Sequence, residues 1–245
     1  MERQYVLYMN LHPKITRYST AFTLVELLVV ISIIGLLAGL AVPAISGGLK
    51  SAKAGACLSN LHQIGVATMA YAADNSFKLP DAGSGTSDMW ATQLATFIST
   101  GTKSKKTIFV CPGSEKAVQE ATGNDVAVTY GVHNGLMPKG GTASNISSVV
   151  RSTEVILAGD VCQNPGNKGW SPYCIEQPSI ISSQGGRGGS ADLTSPIAVG
   201  TDSDSGNNPS LRYRHSGKVN VVMCDGHAEA IKKGSVLNKH VIFGQ

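Results

Sequence analysis

At 245 residues, 42% of them apolar, the chain is long enough for one ordinary folded body plus an additional element and too short to require several independent cores. Its formal charge is +4, falling to +2 once residues 1–21 with Arg3, Lys14, Arg17 and Glu2 are set aside, so the body has no electrostatic case for binding nucleic acid. The apolar residues crowd into 22–45, and the remainder is polar and holds many of the 28 glycines.

Residues 1–21 are basic, show no sustained periodicity, and read as a cytoplasmic leader starting at either Met1 or Met9. No charged residue occurs from 27 to 49, which meets the ~20 apolar positions a membrane-spanning helix requires. Because the basic residues precede this span, the N-terminus is expected to stay inside and the C-terminal body to be exported. A removable secretory signal fits less well: Glu26 opens the apolar run and no A-x-A-like site follows it.

Beyond the span, Leu58, Leu61, Ile64, Ala67 and Tyr71 recur at helical spacing among Ser59, Asn60, His62 and Gln63, an amphipathic continuation over 47–80. Asp74, Asn75 and Pro80 close it, which makes a helix of about fifty residues, roughly 75 Å long at 1.5 Å per residue. Gly35, Gly39, Pro43 and the Gly47-Gly48 pair are expected to bend or locally melt it.

After Pro80 the chain breaks into short segments separated by Gly, Ser, Asn and Pro. The spacing predicts a short helix over 91–97 and strands over 107–110, 126–130 and 154–158. The stretch 162–209 is mostly loop, and its GGRGGS lacks the strand-then-helix context of a phosphate-binding loop. Strands over 218–224 and 227–231 flank Asp225-Gly226, a pair suited to a two-residue type I′ hairpin turn. The fold class is therefore α+β: a long N-terminal helix, its first half in the membrane, packed on a small antiparallel sheet domain over 81–245.

Five cysteines are compatible with an oxidising compartment, and none forms a C-x-x-C pair. Cys162 and Cys174 flank a loop where a disulfide would be useful, with two buried thiols as the alternative. Asp202 and Asp204, with Asn207, offer alternating oxygen ligands suited to calcium, without the ligand order or terminal Glu of an EF-hand. No other cofactor is expected. His215 and His227 lie either side of the expected turn, with no third metal ligand beside them, and no cysteine has an obvious histidine partner.

The residues Ala21-Phe22-Thr23-Leu24-Val25-Glu26 and the following LLVVISIIGLLAGLAVPAI resemble the cleavage and methylation region of type IV prepilins and type II secretion pseudopilins. That resemblance implies a cut between Ala21 and Phe22 by a prepilin peptidase, N-methylation of Phe22, and assembly through Glu26 and the helix-bending Pro43. It also implies an inner-membrane assembly platform and other pilin or pseudopilin subunits as partners. The expected location is the bacterial inner membrane, single-pass with a periplasmic C-terminal domain, from which the chain is extracted into a filament. An acid beside an apolar span is costly unless paired, and the amine freed at Phe22 of a neighbouring subunit is a suitable partner for Glu26. Cys57-Leu58-Ser59-Asn60-Leu61 with Gln63-Ile64-Gly65, and later His215, Asp225 and Gly226, are similar to a large group of bacterial prepilin-like proteins with an H-x9-DG domain.

These features point to a structural filament subunit with no enzymatic activity. The alternative is a membrane-anchored ligand- or glycan-binding module, with Trp170 and Tyr173 as a sugar-stacking surface.

Overall fold

A computed structural model describes residues 23–83, 90–98, 108–114, 128–138, 142–162, 192–200, 202 and 210–244. The chain divides into two units, Met1–Ser46 and Gly47–Gln245. Helix α1, Leu24–Asp74, contributes to both. It is assigned as continuous α-helix through Pro43 and the glycines, so the expected local melting does not occur.

In the first unit α1 starts on a capping box. Thr23 Oγ1 accepts from Glu26 N at 3.2 Å, while Glu26 Oε2 accepts from Thr23 N at 3.0 Å and from Thr23 Oγ1 at 2.9 Å. The large apolar side chains between Leu24 and Leu49 are exposed, and α1 is long and apolar enough to cross a membrane.

In the second unit the later part of α1 turns one stripe inward, Cys57, Leu61, Ile64, Thr68 and Ala72, with Gly65 and Ala67 also buried. Leu58 and Tyr71 are only half-buried, so the inward face is centred beside the predicted one. The helix stops where Ser76 and Phe77 adopt left-handed φ of 55° and 61° and Phe77 N donates to Ala72 O.

Four antiparallel strands, β1 (Tyr130–Val132), β2 (Ile156–Asp160), β3 (Lys218–Met223) and β4 (Ala228–Lys232), form one sheet in that order. Two of them start later than the spacing predicted, β1 at Tyr130 and β2 at Ile156. The predicted strand at 107–110 is not one: 108–110 form a turn, whose Phe109 carbonyl accepts from Thr129 N. The predicted helix at 91–97 is shorter and starts one residue earlier, as α2 (Trp90–Leu94). Sheet pairing was decided by distant partners, which local propensity does not encode.

β3 is buried on both faces after Lys218. Val222 packs with Leu61, Ile64, Tyr130, Leu157 and Ala158 on the helix side. Val219, Val221 and Met223 pack with Ile156, Val236, Val241 and Ile242 on the other, so the C-terminal segment forms a third layer.

The β3–β4 connection corrects the predicted turn. Met223 N donates to His227 O and Gly226 N to Met223 O, closing a three-residue loop, Cys224 to Gly226, with only Gly226 left-handed at φ 92°. A two-residue loop with both φ positive does occur at Ser216 (53°) and Gly217 (76°), where His215 and Lys218 exchange two backbone hydrogen bonds. That turn sets the position of His215 ahead of β3.

His133, fully buried, is held neutral: Nε2 donates to Val241 O at 2.8 Å, and Nδ1 accepts from Gly135 N at 3.1 Å and Leu136 N at 3.3 Å. Desolvation lowers its pKa to about 4. The unfolded chain therefore binds a proton below pH ~6.5 that the folded chain refuses until about 4. Stability should fall as pH drops through that window, by about 2–3 kcal/mol from this residue. Urea unfolding at pH 7 and 4.5 of the native chain and of His133→Gln should show the dependence flattened in the variant.

Candidate functional site

The described part of the N-terminal motif is the capped start of α1. Ala21 and Phe22 lie outside the described residues; Glu26 sits on the first turn, and Pro43 lies within α1 with its carbonyl accepting from Ser46 Oγ at 2.9 Å.

A second constellation lies within the sheet unit. Cys57 comes from α1, Cys111 from the turn ahead of Pro112-Gly113, Asp160 from the end of β2, and His215 from the tight turn before β3. Their ligand-type atoms all lie within 4.8 Å of one another, and all four residues are buried. Cys57 Sγ donates to Asp160 Oδ2 at 3.2 Å, and His215 Nε2 stands 3.0 Å from Asp160 Oδ2 and 3.3 Å from Cys111 Sγ. Tyr130 Oη donates to Cys57 Sγ at 3.4 Å, and Gly113 N donates to Cys111 Sγ at 3.3 Å. Arg214, its side chain 1% exposed, places Nε 3.4 Å from Asp160 Oδ1 and donates from Nη2 to Val161 O.

Glycine is required next to this group, since a Cβ on Gly113 would stand 2.8 Å from His215 Cε1. The hydrogen bond from Cys57 lowers the Cys111 thiol to about 7 against the cost of burial, helped by His215. Desolvation, with Cys111 and Asp160 adding to it, drives Cys57 the opposite way, so the pair carries its first negative charge on Cys111. Burial opposes the His215 imidazolium, but hydrogen bonds to Asp160 and Cys111 outweigh it and raise the pKa to about 9. All four residues are buried, and this donor set suits protons, thiols and a small ion. A cleft of ≈ 310 Å³, lined by Lys50, Ala54, His215, Ser216 and Lys218, reaches its histidine edge.

Sequence reasoning had found no histidine partner for a cysteine, and Cys111–His215 overturns that. The two members are 104 residues apart, so local spacing could not show the pairing. The signal that was present lay in the resemblance, whose quoted residues included Cys57 and His215. His227 takes no part. It lies at the far end of β3, with Nδ1 2.6 Å from Asp225 Oδ1, and β3 separates it from His215. Gly226 instead receives α1: a Cβ on Gly65 would stand 3.1 Å from Gly226 Cα, and His62 Nδ1 lies 3.0 Å from Gly226 O.

Asp202 is engaged by two cations, with Oδ1 2.7 Å from Arg212 Nη1 and Oδ2 2.6 Å from Lys233 Nζ. Asp204 and Asn207 lie outside the described residues, as do Cys174, Trp170 and Tyr173. Cys162 is buried with Sγ 3.7 Å from Ser210 Oγ.

Among known families, the model described as the prokaryotic N-terminal methylation motif matches residues 16–42. No curated protein and no solved structure matches the chain. A prepilin-type motif thus leads into an apolar helix that continues onto a pilin-like α+β body.

Proposed function

We propose that this chain is a structural subunit of a type II secretion pseudopilus or type IV pilus-like filament. A prepilin peptidase cuts between Ala21 and Phe22 and methylates Phe22; the apolar half of α1 then holds the subunit in the inner membrane, with the sheet domain outside. An assembly platform draws it into a polymer with copies or relatives of itself, and the chain needs no catalytic turnover. The observation that carries this reading is the methylation motif at 16–42, continuous with an uncharged helix segment whose large side chains are exposed. Such a surface needs lipid or neighbouring helices to cover it.

Glu26 has two roles to separate, capping α1 and answering the charge of a neighbour's Phe22 amine. Gln at this position keeps a capping box and removes the charge. Glu26→Gln should therefore be cleaved and membrane-inserted as before but enter filaments about tenfold less, since a loss of ~1.4 kcal/mol suffices for that factor. Mass spectrometry of the native membrane fraction should find N-methyl-Phe22 as the first residue. Retention of residues 1–21 would refute the processing step, and normal incorporation of Glu26→Gln would refute the charge pairing.

A further inference from the structure

We infer that Cys57, Cys111, Asp160 and His215 form a closed tetrahedral site for a divalent ion of the zinc class, which ties α1 to the sheet. The site stands on its own geometry and does not depend on the filament assignment. In a tetrahedral zinc site, ligand atoms about 2.0–2.3 Å from the metal lie about 3.3–3.8 Å from one another. Three of the edges here are 3.2 Å (Cys57 to Asp160), 3.3 Å (Cys111 to His215) and 3.0 Å (His215 to Asp160). All four atoms fall within 4.8 Å of one another, so lengthening of the short edges and closure of the longer ones around an ion reaches the required geometry.

The donor set selects the ion. Two sulfurs, one imidazole and one carboxylate suit Zn²⁺, whereas calcium and magnesium take oxygen-rich shells of six or more ligands. With both thiols ionised, three negative charges face a dication, and the buried Arg214 guanidinium against Asp160 supplies the remaining positive charge. Donors to the sulfurs are already present in Tyr130 Oη and Gly113 N. All four positions come from protein and are buried, which is the pattern of a structural site rather than a catalytic one. The cleft along His215 offers an entry path.

A disulfide between Cys57 and Cys111 is the competing use of the two sulfurs. They stand as separate thiols, Cys57 bonded to Asp160 and Cys111 to His215. The test uses the full chain purified in detergent. Elemental analysis should find about one zinc per chain. After chelation under reductant, Zn²⁺ alone should raise the melting temperature by about 10 °C. Co²⁺ in its place should give thiolate-to-cobalt charge-transfer absorption together with a tetrahedral ligand-field band. Cys57→Ser/Cys111→Ser should lose that absorption, while Cys224→Ser keeps it. A Cys57–Cys111 bridge in peptide mass mapping of the unreduced chain would overturn the inference. So would a reduced native chain that takes up no Co²⁺ and whose melting temperature Zn²⁺ leaves unchanged, a readout that needs no variant to fold.

Discussion

Asp160→Ala is expected to lower the stability of the sheet unit by about 3–5 kcal/mol, measured by urea unfolding in reductant and chelator so that the buried charges alone are compared. The side chain of Asp160 is fully buried, with Arg214 1% and His215 4% exposed beside it. Asp160 Oδ2 meets His215 Nε2 at 3.0 Å and accepts from Cys57 Sγ, while Oδ1 lies 3.4 Å from Arg214 Nε. Truncation removes the one carboxylate of the group and leaves cationic groups in a low-dielectric interior, where desolvation is no longer offset. The double variant Asp160→Ala/Arg214→Met should regain part of the loss, because an apolar pair avoids the uncompensated charge. A single-variant loss below 1 kcal/mol would show that this cluster is better hydrated than its burial implies.

The second large effect is expected at Gly65, where α1 meets the β3–β4 loop. A Cβ there would stand 2.7 Å from Val222 Cγ2 and 3.1 Å from both Cα and O of Gly226. Val222 is fully buried, and Gly226 is held at φ 92° with its carbonyl 3.0 Å from His62 Nδ1, so the backbone on the far side has little room to retreat. Gly65→Val should cost about 3 kcal/mol, the upper range for overpacking a well-packed contact. In Gly65→Ala the closest clash is with a side chain, so Val222→Ala added to it should recover stability relative to the sum of the two single changes. Simple additivity would mean that the helix, not Val222, yields.

This contact supplies a physical meaning for two glycines that the family resemblance had marked. Gly226 combines a left-handed turn with an uncovered backbone, and Gly65 lets the helix approach it. The Asp225 carboxylate serves the same loop, accepting from His227 N at 3.1 Å. The H-x9-DG spacing therefore joins two separate jobs at the ends of one strand: His215 faces the buried cluster ahead of β3, and Asp225-Gly226 shape the loop after it.

The long helix and the final hairpin were legible because their signals are local. Twenty-odd uncharged residues, an i, i+3, i+4 repeat and alternation around a turn are each written within one segment. Boundaries were less so: β1 and β2 start at Tyr130 and Ile156, where antiparallel partners are available, such as Tyr130 opposite Asp160. The turn type was misjudged for a related reason. Asp-Gly permits more than one loop, and pairing of Val222 with Ala228 left three residues to connect Met223 with His227.

By itself, the sequence determined the prepilin-type start, the long apolar helix and the α+β class, since charge, apolarity and short-range periodicity act between neighbours in the chain. Only the tertiary structure decided that Cys57, Cys111, Asp160 and His215 share one buried point, and that Gly65 must yield its side chain to Gly226. The first relation arises where α1, the Cys111 turn, β2 and the turn before β3 meet, the second where α1 crosses the loop after β3, and the energy of bringing distant groups together depends on packing that no local pattern specifies.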